Sequence, residues 1–248
     1  MTDPLSFRIK KKIDRYIHDP IVALIILPFF LILKILPFKI SSLICGSLVY
    51  LIAPFTKYQK RVLNNLNIAF PQKKEAEKIK ISKRFWFNFG QIIGELPHID
   101  KIISSKNILI SGHKKIQKGP AILIGAHLAN WEFLLRVGEM SGRRVSFVYR
   151  PINNWILNKL QFSRNSKINA DFFKKGRAAA IGMANKLKKG EVIGLTNDQI
   201  LREGIMVPFF GKKTPTPQAA AIMSLKWNVP IFMVRVERLN LLLSLIHI

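Results

Sequence analysis

A histidine and a glutamate five residues apart are the residue types in this sequence best suited to acid–base chemistry. His127 comes shortly after the apolar run at 121–124, which Gly125 ends, and Glu132 comes two residues after Asn130. On one helix, a spacing of five residues separates two side chains by about 140°, so a loop and a helix start must bring them together. Asn130 is a good N-cap, which puts Glu132 in the first helical turn, where the helix dipole favours its anion. We expect Glu132 to accept a hydrogen bond from one imidazole nitrogen and leave the other as a base for a substrate hydroxyl.

Short apolar runs alternate with helical segments from about residue 106 onward, and this alternation indicates how the pair is positioned. The predicted strands are 121–124, 145–149, 192–196 and 229–236, and the predicted helices between them are 178–189 and 217–227. The pattern predicts an α/β fold with a mostly parallel central sheet flanked by helices. Ligands of open α/β sheets bind at the carboxyl ends of the strands, where this sequence places His127, Arg150 and Asp198.

The first 56 residues have a different composition. Apolar runs at 21–38 and 41–55 follow a basic segment, and no small-residue cleavage site separates them. We therefore expect an uncleaved membrane anchor over 1–56 and a second domain over 57–248; the alternative is a helical hairpin buried in a soluble core. Because basic residues flank the apolar region on both sides, the positive-inside rule puts both flanks in the cytosol. A shallow or re-entrant hairpin fits that better than a single span.

The charge balance indicates a polyanionic partner. Forty Lys and Arg residues face fourteen Asp and Glu, which gives a formal charge of +26. Nucleic acid and anionic lipid head groups both fit such a surplus, but the sequence contains no nucleic-acid recognition motif. The single cysteine, Cys45, rules out an intramolecular disulfide and a multi-cysteine metal site. The apolar stretch 239–248 ends the chain without a polar tail, so we expect a shortened C-terminus.

Several motifs share an order with one enzyme family. The segment from His127 to Glu132 resembles the HxxxxD/E motif of glycerolipid and lipid A acyltransferases. The later motifs are VYRP at 148–151, Asn153-Asn154, Asp198-Gln199, VPFFG at 207–211 and VRVER at 234–238. Together they resemble the bacterial lipid A biosynthesis acyltransferase family over roughly residues 55–238. The resemblance implies a glycerolipid-acyltransferase-like fold with an N-terminal membrane-associated helical segment.

The resemblance also implies a reaction. A fatty acyl group moves from acyl-carrier protein to the hydroxyl of a 3-hydroxyacyl chain on a phosphorylated glucosamine disaccharide, the lipid A precursor. His127 is the implied general base, and Glu132 orients it and stabilises the imidazolium. The hydroxyl attacks the thioester directly, so no acyl-enzyme, metal or organic cofactor is expected, and Cys45 is a poor nucleophile candidate. The implied location is the cytoplasmic face of the bacterial inner membrane, where the +26 charge suits the acidic carrier, the phosphorylated acceptor and anionic lipid.

Four further residues are candidates for substrate binding. Arg150 suits a phosphate or a carbonyl oxygen. Asp198 and Gln199 suit a sugar hydroxyl or Arg150 itself. Asn130 is also a candidate, although an N-cap role explains it equally well.

Two other functions fit parts of the sequence. A lysophosphatidate or glycerol 3-phosphate acyltransferase would share the His-Glu chemistry but carry a Gly-rich phosphate-binding block in place of the later motifs. A non-catalytic basic membrane-binding protein would have no reason to hold His127 and Glu132 in contact at the mouth of an apolar cavity. The geometry of these two residues therefore distinguishes the classes.

Overall fold

A computed structural model describes residues 13–105, 107–165, 168–240 and 244–248 of the chain. A π-helical turn (Asp14–His18) leads into the helices, which are α1 (Asp19–Ile35), α2 (Phe38–Ile52), α3 (Lys57–Ala69), α4 (Glu75–Glu95), α5 (Ile99–Ser104), α6 (Val137–Met140), α7 (Trp155–Asn165), α8 (Arg177–Lys188) and α9 (Ala219–Trp227). The strands are β1 (Ile108–Ser111), β2 (Ala121–Gly125), β3 (Val145–Tyr149), β4 (Ala170–Lys174), β5 (Val192–Thr196), β6 (Ile205–Phe209), β7 (Lys212–Thr216), β8 (Ile231–Arg238) and β9 (Ser244–His247). Short 3₁₀ helices occupy Ala53–Phe55, Leu96–His98, His113–Ile116 and Trp131–Arg136.

Among the described residues, seven strands form one sheet in the order β1-β9-β8-β2-β5-β3-β4. Strands β8, β2, β5, β3 and β4 run parallel, so their carboxyl ends meet at one edge of the sheet. Strand β9 runs antiparallel to β8 and parallel to β1. Strands β6 and β7 form a separate antiparallel hairpin. The α/β fold with a mostly parallel sheet and flanking helices is confirmed.

The predicted strands correspond to β2, β3, β5 and β8, with the start and end of β8 each two residues later than expected. The apolar runs that predicted them form the centre of the sheet, where Val145, Val192 and Ile193 are fully buried. Strands β1, β4, β6, β7 and β9 were not predicted from the sequence. The apolar end of the chain, apart from 241–243 outside the described residues, forms β9, in which Ile246 is fully buried.

The two N-terminal apolar helices are largely uncovered by the rest of the protein. The helical segments Asp14–Ile35 and Phe38–Phe55 are long and apolar enough to cross a membrane. Only 11% and 28% of their respective apolar stretches are buried within the protein. A helical hairpin inside a soluble core would be mostly buried, so that alternative does not describe them. Exposed side chains such as Leu24 and Ile35 instead indicate membrane association. The basic residues 8–12 of the expected cytosolic flank lie outside the described residues.

Helix α2 lies very close to helix α4, because two glycines of α4 allow their backbones to meet. A Cβ atom at Gly90 would collide with the carbonyl of Cys45, and one at Gly94 would collide with that of Ser41. This contact joins the apolar N-terminal segment to the α/β domain and brings Ser42 beside the end of α4.

A salt-bridge cluster closes the opposite edge of the sheet, at the amino ends of the strands. The Lys186 ammonium lies 2.6 Å from the Asp171 carboxylate and 2.8 Å from that of Glu191, and Arg144 contacts Asp171 at 2.7 Å. Burial by itself raises the pKa of Asp171, but hydrogen bonds from Lys186 and Arg144 outweigh it, so the net pKa is lowered. Hydrogen bonds to Asp171 and Glu191 raise the pKa of Lys186. Because every charge here is paired, we interpret this cluster as structural.

Candidate active site

The pairing of β2 with β5 determines where the catalytic candidates lie. In this parallel pair, Gly125 is opposite Thr196, the last residue of each strand. His127 and Asp198 each follow two residues later, so the two chains leave the sheet side by side. The backbone N–H of Asn197 donates to the carbonyl of Gly125 at 3.2 Å, which keeps the two loops together past the edge.

Asp198 holds His127 at two points. Its Oδ2 accepts a hydrogen bond from the backbone N–H of His127 at 2.8 Å, and its Oδ1 accepts one from Nδ1 of the imidazole at 2.9 Å. An Nδ1 that donates to a carboxylate leaves Nε2 as the basic lone pair. The side-chain amide of Gln199 lies 3.4 Å from Nε2, and the Trp131 ring lies edge-on with its centroid 5.2 Å from that of the imidazole. Asp198 therefore sets the orientation of the imidazole, and the Nε2 lone pair faces the side-chain amide of Gln199.

The acid on Nδ1 is a correction to the sequence analysis, which assigned this position to Glu132. Both oxygens within 3.2 Å of Nδ1 belong to Asp198. The reason is the strand register, which aligns Asp198 with His127, whereas Glu132 lies on the 3₁₀ helix beyond Asn130. In this structure Asp198 contacts His127, whereas a contact with a sugar hydroxyl or Arg150 was expected from the sequence. Glu132 lines the same cavity as His127.

Asn130 is also a correction, because it is fully buried and presents no surface to a substrate. Its Oδ1 accepts a hydrogen bond from the backbone N–H of Glu132 at 3.2 Å, which makes it the N-cap of the 3₁₀ helix. The preceding Ala129 has a φ of +46°, in the left-handed region that costs a non-glycine residue on the order of 1 kcal/mol. The cap and the Asp198 contact hold the loop from both sides of that strained residue.

A buried carboxylate, Glu95 at the end of α4, connects this loop to the rest of the protein. It accepts hydrogen bonds from Asn130 Nδ2 at 2.7 Å and from the Ser42 hydroxyl at 2.8 Å. The Arg238 guanidinium, at the end of β8, binds both of its oxygens at 2.7 and 3.0 Å. Only 4% of the Glu95 side chain is exposed, so these four bonds are needed to offset its lost hydration. Glu95 was not predicted from the sequence, although an acid among apolar residues near the end of an amphipathic helix can indicate a buried carboxylate.

A cavity of about 620 Å³ opens beside His127 at the carboxyl edge of the sheet. Its polar lining comes from residues at the carboxyl edge: His127, Glu132, Arg150, Lys175, Thr196 and Gln199. Its deeper wall is apolar and includes Leu123, Val137, Phe147, Met183, Met223 and Val234. A polar mouth over an apolar interior suits a ligand with one reactive group and a long apolar tail.

The remaining candidates lie at the mouth of this cavity. Arg150 directly follows β3 and is exposed, and Gln199 follows Asp198. The exposed Lys174 and Lys175 at the end of β4 add positive charge beside Arg150, a feature that the sequence analysis did not use. Across the described ranges, no three His, Cys, Asp or Glu side chains are grouped closely enough to hold a metal ion.

A family model described as "Bacterial lipid A biosynthesis acyltransferase" matches residues 8–240. The match covers most of the chain and includes strands β1 to β8, both loops of the site and the N-terminal helices. It confirms the resemblance that the motifs indicated. No curated protein matches the chain.

We expect Asn130→Ala to weaken both the fold and the site. The substitution removes the N-cap and leaves Glu95 with one fewer donor, which should cost about 1–3 kcal/mol of unfolding free energy. Thermal unfolding in detergent measures this loss. The matched control is Asn67→Ala, at an exposed position of α3, which should change stability by less than about 0.5 kcal/mol. Equal stability of the two variants would contradict the role given to the buried asparagine.

Proposed function

The chain belongs to the bacterial lipid A biosynthesis acyltransferase family, and we propose that it esterifies a hydroxyl of a lipid A precursor with His127 as general base and Asp198 as its orienting carboxylate. The observation that carries this proposal is the 2.9 Å bond between His127 Nδ1 and Asp198, in a histidine that lines a largely apolar cavity. The family gives the reaction class, and the geometry supports particular residues for each role.

The reaction follows from that geometry. Nε2 of His127 takes the proton of the acceptor hydroxyl as its oxygen attacks the thioester carbonyl carbon. The C–O bond forms, the C–S bond breaks, and the imidazolium returns the proton to the departing thiolate. Asp198 holds the ring in the productive tautomer and stabilises its positive charge. Glu132, which lines the cavity, is the second carboxylate of the proposed site.

The acyl donor in this proposal is the thioester of acyl-carrier protein. An acyl chain fits the apolar interior of the cavity, with its thioester at the polar mouth beside His127. The carrier is acidic, and the exposed Arg150, Lys174, Lys175 and Arg177 give the mouth a basic rim that would speed its encounter. The same rim suits the phosphates of the acceptor, with Arg150 as the bidentate contact.

The proposed location is the cytoplasmic face of the bacterial inner membrane. Residues 1–56 serve as the anchor and 57–248 as the acyltransferase domain. A cytosolic carrier reaches the site only from that side, and the basic residues that follow the second apolar helix, Lys57, Lys60 and Arg61, favour the cytosol.

We expect Asp198→Asn to lower acyl transfer nearly as far as His127→Ala, by about 10²–10⁴-fold, because both remove the oriented base. Transfer from labelled acyl-carrier thioesters to a tetra-acylated lipid A precursor in membranes measures the loss. Glu132→Gln is the comparison, since it alters the carboxylate that the motif alone would choose.

All three variants must first match the wild type in expression and thermal stability. The geometry predicts that Asp198→Asn lowers acyl transfer at least as much as Glu132→Gln does. If Asp198→Asn keeps nearly full acyl transfer while Glu132→Gln is inactive, Glu132 rather than Asp198 orients His127. Wild type that acylates lysophosphatidate but not the lipid A precursor would favour the glycerolipid alternative.

Met183 should influence which acyl chain is preferred, because it is 1% exposed and lines the cavity on α8. Met183→Trp reduces the space for the acyl chain, so the preference should shift toward shorter donors. If two methylenes are excluded, at about 0.8 kcal/mol each, the preference for the shorter donor should rise roughly tenfold. Met183→Ala should shift the preference toward longer donors. Competition between carrier thioesters of several lengths measures both shifts, and the same shift in both variants would contradict an acyl chain at this wall.

A further inference from the structure

The hairpin of β6 and β7 projects from the rim of the cavity and is apolar on both faces. Ile205 and Phe209 are 49% and 65% exposed on one face, Met206 is 58% exposed on the other, and Phe210 in the turn is 57% exposed. A two-stranded hairpin is marginally stable in water by itself, and large apolar side chains exposed on both faces make water an unfavourable surrounding. We therefore expect another apolar surface or a lipid phase to cover these side chains.

The hairpin is well formed and joined to the site. Phe210 and Gly211 have φ angles of +48° and +73°, as a tight two-residue turn requires. The Phe209 and Phe210 rings pack edge to face at 4.7 Å. At its base, the backbone N–H of Leu201 donates to the carbonyl of Pro215, and both Ile200 and Leu201 line the cavity. The position of the tip relative to the cavity mouth is thus determined by backbone pairing.

The charge and position of the hairpin indicate what covers it. Lys212 and Lys213, both exposed, directly follow the aromatic tip, an arrangement that suits anionic head groups above an apolar layer. The hairpin leaves the sheet after β5, at the carboxyl edge. The start of α1 is held at the same edge, because Asp19 accepts hydrogen bonds from Asn154 Nδ2 and from the backbone of Trp155, just after β3.

We infer that the β6–β7 hairpin inserts its phenylalanine tip into an anionic lipid bilayer and so sets the cavity mouth against the membrane surface. This contact is distinct from the N-terminal helices, which associate with the membrane by their own apolar surfaces. Together they fix two points of the same edge, which prevents the domain from rotating away from the bilayer about its anchor. A lipid acceptor then reaches His127 without leaving the interface fully.

A fluorescent probe on the hairpin tests this directly in the full chain. In a Cys45→Ala background, Met206→Cys is labelled with an environment-sensitive fluorophore and the protein is reconstituted in phosphatidylethanolamine–phosphatidylglycerol vesicles. Lys118→Cys is the control, because it is exposed just before β2, at the amino edge of the sheet. Nitroxide groups on the lipid chains should quench the Met206→Cys probe strongly and leave the Lys118→Cys probe unaffected.

Equal, weak quenching at both positions would overturn the inference. The inference would also be overturned if the hairpin probe responded to added acyl-carrier protein, or to a higher concentration of the chain itself, but not to lipid. Such a response would indicate that a protein covers the hairpin. Neither readout depends on enzymatic activity, so they decide the inference even if the proposed acyl transfer fails.

A second experiment uses activity. Replacing Phe209 and Phe210 together by Ser should lower transfer to an acceptor in vesicles about tenfold and change transfer in detergent micelles by less than about twofold, because micelles deliver the acceptor without orienting the protein. Leu225→Ser is the matched control, since Leu225 is 86% exposed near the end of α9, and it should act as wild type in both media. Equal losses in both media, or no loss in vesicles, would overturn the inference.

Discussion

The Glu95 carboxylate is the interaction on which the arrangement of the site depends. An ionised carboxylate with 4% exposure is stable only if its lone pairs are satisfied, and here Ser42, Asn130 and both terminal nitrogens of Arg238 do so. Those donors come from α2, from the loop after β2 and from the end of β8. One buried charge therefore fixes an apolar N-terminal helix, the loop of the catalytic candidates and the centre of the sheet relative to one another.

The catalytic candidates, the cavity and the apolar hairpin all lie at the carboxyl edge of the sheet. Register between β2 and β5 brings His127 against Asp198, and His127 lines the cavity. The same edge receives the start of α1 and carries the apolar hairpin. The amino edge is closed by the paired charges of Asp171, Lys186 and Glu191. The catalytic candidates and the apolar hairpin thus lie at one edge of the sheet, and a structural salt-bridge cluster lies at the other.

The sequence was informative where local physics dominates. Continuous apolar runs predicted the central strands β2, β3, β5 and β8, and polar residues after them placed His127, Arg150 and Asp198 at one edge. It was misleading where tertiary register decides. The spacing of His127 and Glu132 suggested a local pair, but alignment of two strands about 70 residues apart in sequence brought Asp198 to Nδ1 instead. Asn130 could be interpreted as a cap or a ligand from its type alone, and only its complete burial distinguishes the two.

The central claim is that His127, held on Nδ1 by Asp198, presents Nε2 to the acceptor hydroxyl. An experimental structure of the full chain with a lipid A precursor and a non-hydrolysable acyl-carrier thioester analogue tests it most directly. The account predicts the acceptor hydroxyl oxygen about 2.6–3.2 Å from Nε2, the acyl chain in the cavity and the Asp198 contact intact. A ring turned so that Glu132 holds Nδ1, or an acceptor hydroxyl bound away from His127, would contradict it.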